Sequence, residues 1–133
     1  MNNEKKKFIY KTFNTEFTNF LDFIISLFPD KDELKSFKTA ITFLIKYNPS
    51  KLIYLWNYYV TIPYNDIIQK GDFNYFENKN YSTDVKDLKE NAEYVLKTYN
   101  EMRENISKTS EENKKISMKF IQNLSNLSLL YYS

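Results

Sequence analysis

The chain has 133 residues, a formal net charge of +2, one glycine, three prolines, and neither cysteine nor histidine. The absence of cysteine excludes disulfides, thiolate zinc sites and cysteine nucleophiles, and the absence of histidine removes the commonest general base and imidazole ligands. Hydrophobic residues make up 42%, enough for one core, and the near-neutral charge gives no whole-molecule drive toward nucleic acid or anionic membrane.

With one glycine and three prolines, turn signals are too few for a many-stranded β fold, and the apolar spacing is helical. The expected fold is all-α: a compact bundle of about five or six helices, closing in a C-terminal αα-hairpin or one long bent helix. Residues 1–12 read as a basic arm, 13–84 as a helical core with an aromatic loop, and 85–133 as the C-terminal helical hairpin or arm, together making one domain.

The first helix is expected to begin near Asn14 or Thr15, either of which can cap orphan amides. Phe13, Phe17, Phe20, Leu21, Ile24 and Leu27 or Phe28 form its apolar stripe, and Pro29 stops it. Asp30 is read as the cap of a second helix, with Glu33 completing a capping box. Leu34, Phe37, Ile41, Leu44 and Ile45 give its buried face. Asn48 and Pro49 then suit the cap and first position of a third helix, Ser50 to Val60. Pro63 is expected to break or kink that helix. A short helix from Asn65 to Lys70 follows, ending at Gly71, where a left-handed cap carries no Cβ clash.

Asp72 to Asp84 reads as an aromatic connection docked by Phe73, Tyr75, Phe76 and Tyr81. Beyond it, Leu88, Ala92, Val95, Tyr99, Met102 and Ile106 alternate spacings of four and three, a short coiled-coil seam. It is read as packing on the final helix of the same chain rather than dimerising. Ser107 to Lys115 is wholly polar, and Thr109-x-x-Glu112 is a capping box that restarts a helix. The last helix shows Ile116, Phe120, Leu124, Leu127 and Tyr131.

Candidate chemistry is sparse. Asp30, Asp32 and Glu33, then Asp84 and Asp87, then Glu111 and Glu112 are clustered carboxylates. Acid/base catalysis needs one of them buried with a raised pKa. All fall at expected helix starts, where acids favour the dipole, so capping is the preferred reading. No nucleophile–base pair, phosphate-binding glycine loop or calcium loop is present, and the chain is expected to be non-enzymatic, without metal or cofactor.

Two contact readings remain. Tyr58, Tyr64, Tyr131 and Tyr132 are candidate partner contacts, because tyrosine offers a large apolar ring with a polar tip. Lys5, Lys6, Lys7 and Lys11, interleaved with Phe8 and Tyr10, are candidate nucleic-acid contacts, although a solvated terminus is the preferred reading. The apolar runs are too short to span a bilayer, and Met1 to Lys11 has no secretory character, so an intracellular or virion location is expected. The sequons at Asn80, Asn105, Asn123 and Asn126 are then without consequence.

Several strings carry a resemblance. Phe28-Pro29-Asp30, Phe37-Lys38-Thr39-Ala40 and Asn48-Pro49-Ser50-Lys51-Leu52-Ile53 resemble a family of small uncharacterised proteins of nucleocytoplasmic large DNA viruses, the mimivirus and phycodnavirus relatives nearest. Tyr59-Val60, Tyr64, Gly71-Asp72-Phe73, Phe76 and Lys79-Asn80-Tyr81-Ser82 extend it. So does Ser117 to Leu124, with Leu127-Ser128. The likeness spans residues 13–132 and is least specific over 85–115. The abundance of Asn, Ile, Lys, Phe and Tyr, all with A/T-rich codons, suits such a genome. The resemblance implies a setting, host cytoplasm, viral factory or virion, but carries no catalytic residue. The expectation is a viral interaction protein serving virion structure, assembly or complex scaffolding, with viral or host proteins, and other copies of itself, as partners. The alternative is a nucleic-acid-associated accessory protein.

Overall fold

The computed structural model describes residues 2–78, 97, 100 and 103–133. The fold is all-α, with no strand among the described residues.

Helix α1 runs Asn3–Leu27, so residues 3–12 are helix and not an arm, and Asn14 and Thr15 lie inside it. The start is set by Asn2, whose Oδ1 accepts from the Lys5 amide at 2.8 Å, with Glu4 in the first turn against the dipole. The apolar stripe reaches further back than expected: Ile9 is buried as well as Phe13, Phe17, Phe20, Leu21 and Ile24. Burial of Ile9 gives the first turns a packing partner that a lysine-rich segment would otherwise lack. At Phe28, just before Pro29, the chain leaves the helix.

Helix α2 runs Asp32–Tyr47. Asp30 does not cap it. Lys31 holds the cap position without a side-chain bond, while Asp32 and Glu33 occupy the first turn, where their charges still oppose the dipole. Leu34 and Ile41 are buried. Asn48 closes α2 instead of opening the next helix, its amide bonding Leu44 O at 2.8 Å. Pro49 therefore sits in a turn, and its carbonyl accepts from Asn14 Nδ2 at 2.9 Å. That bond ties the turn to the middle of α1.

Helix α3, Lys51–Trp56, passes through a π-helical turn, Asn57–Thr61, into α4, Ile62–Lys70. The flanking residues Trp56, Asn57, Thr61 and Ile62 all keep right-handed helical backbone. Pro63 does not break this helix. Proline lacks an amide and crowds the carbonyl four residues back. The widened turn just before it, in which the Ile62 amide bonds Asn57 O, absorbs that conflict. Gly71 ends α4 with φ of 72°, the left-handed cap expected of it.

Helix α5, Phe73–Asn78, occupies the first part of the expected aromatic loop, with Asp72 Oδ1 accepting from the Tyr75 amide at 3.3 Å. Tyr81 and the seam residues Leu88, Ala92, Val95, Tyr99 and Met102 lie outside the described residues. Ile106, the last of the seam, lies in a helical stretch over 103–107 and is buried in the main core. The chain leaves helix at 108–110, and helix α6 runs Glu111–Tyr131. Ser110 caps α6 by accepting from the Asn113 amide at 3.2 Å; Thr109 instead donates to Ile106 O at 2.7 Å, ending the preceding stretch. The cap is therefore one residue later than the capping box suggested.

Among the described residues, helices α1 and α6 make the most extensive pairing and run antiparallel: Tyr10 meets Tyr131, and Phe20 stacks on Phe120 at 5.2 Å. Phe13 and Phe17 meet the Trp56 ring edge-on at 6.1 and 6.0 Å. Phe13, Leu21, Ile24, Ile53 and Leu124 are almost completely buried, each stabilising by about 1.5–3 kcal/mol relative to exposure. Ser117, Ser125 and Ser128 are fully buried on α6, and their small side chains admit close approach of its neighbours. Helix α2 packs on α1 and α3. Its outer face is open, with Phe43 57% and Tyr47 72% exposed.

Candidate contact surface

The start of α1, the end of α6 and the α3–π segment converge, and tyrosines line the convergence. The Tyr10 ring lies 6.5 Å from Tyr131, and Tyr131 meets Tyr132 edge-on at 4.8 Å. Tyr54 stacks on Tyr58 at 6.3 Å, and Tyr58 meets Tyr59 edge-on at 4.8 Å. The phenols of Tyr131 and Tyr54 both act on Tyr132, which links the two groups. Desolvation is the larger cause lifting Tyr132 above the ordinary tyrosine range; the two neighbouring phenols add to it.

Two ammonium groups sit on these rings. Lys6 Nζ is 5.0 Å from the Tyr131 centroid and Lys51 Nζ is 4.9 Å from that of Tyr54. Such pairs hold a ring face toward a cation and fix its orientation. The patch is thus an array of half-exposed phenols with cations at its edges: Tyr54, Tyr58 and Tyr132 are each 45–49% exposed.

Its members were only partly expected. Tyr58 and Tyr132 are exposed, and Tyr131 is half-buried against the core. Tyr64 is buried beside Ile68 and Met118 and is no surface contact. The reason is the π turn, which carries the helix past Pro63 and turns Tyr64 inward. Lys51 was not expected, Tyr10 was expected only beside the lysines, and of the tyrosines from Tyr54 to Tyr59 only Tyr58 was expected as a contact, Tyr59 being read as core. The Tyr54-x-x-x-Tyr58 spacing was a usable signal, since residues four apart share a helical face.

The lysines do not form one stripe. Helical residues turn by about 100° each, so Lys5, Lys6 and Lys7 radiate in three directions. Lys6 points across Tyr131, while Lys5, Lys7 and Lys11 are exposed, and of these Lys7 and Lys11 share a face. The carboxylates expected as caps lie in first turns: Asp32 and Glu33 on α2, Glu111 and Glu112 on α6. Asp84 and Asp87 lie outside the described residues. No group of acidic side chains suited to a metal ion is present among the described residues. A shallow open groove between α1 and α6 is lined by Glu16, Asn123, Asn126, Leu127 and Leu130. Among the described residues no helix is long and apolar enough to cross a membrane.

Comparison with protein-family models, curated proteins and solved structures returned no match.

Proposed function

We propose that this chain is a non-enzymatic interaction protein whose partner contact is the tyrosine patch of Tyr54, Tyr58 and Tyr132, with Lys6 and Lys51 at its edges. The observation that carries this reading is the exposure of three ring-paired tyrosines on two converging elements. Tyrosine gives large, stiff, amphipathic area at low entropic cost, which is why it dominates interface hot spots. The partner is a protein of a viral assembly or virion complex; this setting rests on the sequence resemblance alone.

A photo-crosslinking residue placed at Tyr58 or Tyr132 should trap the same protein in infected cells, and one placed at Phe8, on the far side of α1, should not. A patch that traps nothing while the chain remains folded overturns the proposal.

The nucleic-acid alternative retains one supporting observation, the lysine–ring pairs, because cations beside exposed aromatics suit single strands. It predicts single-strand binding that falls steeply with salt and is lost in a Lys6→Gln, Lys51→Gln double variant.

A further inference from the structure

Helix α2 is apolar on two sides. Its inner face carries Leu34, Phe37, Ile41, Leu44 and Ile45 into the core. On its outer face Ser36, Ala40, Phe43 and Tyr47 recur at spacings of four, three and four, and all four are exposed. Phe43 and Tyr47 are not independent rings; they stack at 6.0 Å, with planes only 8° apart. Lys46 Nζ lies 5.6 Å from the Tyr47 ring. The outer face is thus a four-position seam with small side chains at one end and stacked aromatics at the other.

That gradient is self-complementary. When two copies of α2 pair antiparallel about a two-fold axis midway along the seam, Ser36 of one lies opposite Tyr47 of the other. Ala40 then lies opposite Phe43. Each large ring meets a small side chain, the alternation that lets two helices approach closely. In a parallel pairing, ring would meet ring and small would meet small, leaving a gap at one end.

Charge agrees with the antiparallel arrangement. Asp32, Thr39 and Lys46 recur every seven residues along one flank of the seam, acid at the start and base toward the end. In this register Lys46 of one copy lies opposite residue 37 of the other, about 7.5 Å along the axis from Asp32 and within a lysine's reach, and the two helix dipoles are set head to tail. Among the described residues neither Asp32 nor Lys46 has an ion pair, whereas Lys38, off this seam, is already bound to Asp22.

We infer that the outer face of α2 is a homodimer interface, in which a second copy of this chain packs its own α2 antiparallel with Ala40 against Phe43. A 16-residue helix is about 24 Å long, and one helix pair of that length falls near the low end of stable interface areas. The dimer is accordingly reversible and dissociates on dilution.

The absence of native thiols allows a clean test of register. Ala40→Cys and Phe43→Cys chains, mixed and oxidised with diamide, should give the mixed disulfide several-fold over either homodimer. In sedimentation equilibrium the wild-type chain should dimerise with concentration. A Phe43→Glu, Tyr47→Glu variant should remain monomeric at ten times the wild-type midpoint, with unchanged far-ultraviolet circular dichroism. A wild-type chain monomeric at about 500 µM, a dimer surviving the double glutamate variant, or homodisulfides exceeding the mixed product would each overturn the inference.

Discussion

The indole Nε1 of Trp56 donates to Oγ of Ser125 at 3.0 Å, joining positions 69 residues apart in the chain. Beside it, the hydroxyls of Thr61 and Ser128 lie 2.7 Å apart, fully buried, and Ser128 Oγ donates onward to Ser125 O at 2.8 Å. These small hydroxyls let α6 approach the α3–π–α4 helix closely while satisfying every polar group they bury.

Substitution at Ser125 should therefore be graded by size. Ser125→Ala loses one hydrogen bond and leaves the indole N–H short of a partner, a cost of about 1–3 kcal/mol. Ser125→Leu must also force apart two packed helices, adding about 1–3 kcal/mol of overpacking. Urea unfolding should place both midpoints below wild type, the leucine variant lower.

Removal of residues 1–11 should destabilise the fold, because they include the Asn2 cap and the buried Ile9. The loss is expected to be about 2 kcal/mol or more from Ile9 alone. Asn2→Ala should cost about 1 kcal/mol and raise hydrogen exchange in the first turn only. A truncated chain as stable as wild type would mean that the first turns do not pack.

Gly71→Ala should cost about 1–2 kcal/mol, through backbone strain rather than collision. The backbone there has φ of 72°, while an added Cβ would meet Gln122 Nε2 at an ordinary 3.5 Å. Gly71→Asn should recover part of the loss in thermal melts, since asparagine tolerates the left-handed region better.

The raised pKa of Tyr132 means that the folded chain holds this proton after the unfolded chain has lost it. Its contribution to stability is full below the ordinary tyrosine range, about 10, and declines as pH climbs through that range to the folded value. Denaturation midpoints measured from pH 8 to 11 should fall less steeply for Tyr132→Phe than for wild type.

The core was legible where apolar residues repeat within one helix. Phe13, Phe17, Phe20, Leu21 and Ile24 were expected on one stripe, and all five are buried. Gly71 announced its own cap. Helix starts were harder to read, because several residues near each boundary can cap and tertiary packing chooses among them. Asn2 prevailed over Asn14 through the burial of Ile9, and Ser110 over Thr109 because Thr109 was already bonded backward to Ile106. Pro63 was misleading because proline's effect depends on the turn before it, and a π turn leaves no periodic mark. Exposure of Tyr58 and Tyr132 could be anticipated from position. The meeting of Lys6 with Tyr131 could not, since it depends on how α1 lies along α6.

The π turn also sets a rotational phase. Ile53 and Trp56 before it and Thr61, Tyr64 and Ile68 after it all face inward along one rod. In an uninterrupted α-helix the second group would point about 100° away from the first, the rotation of a single residue. The segment from Asn57 to Thr61 thus carries one residue more than its length along the axis requires. Chain length here can shrink by one without turning either half off the core, whereas a one-residue gain swings Tyr64 and Ile68 into solvent.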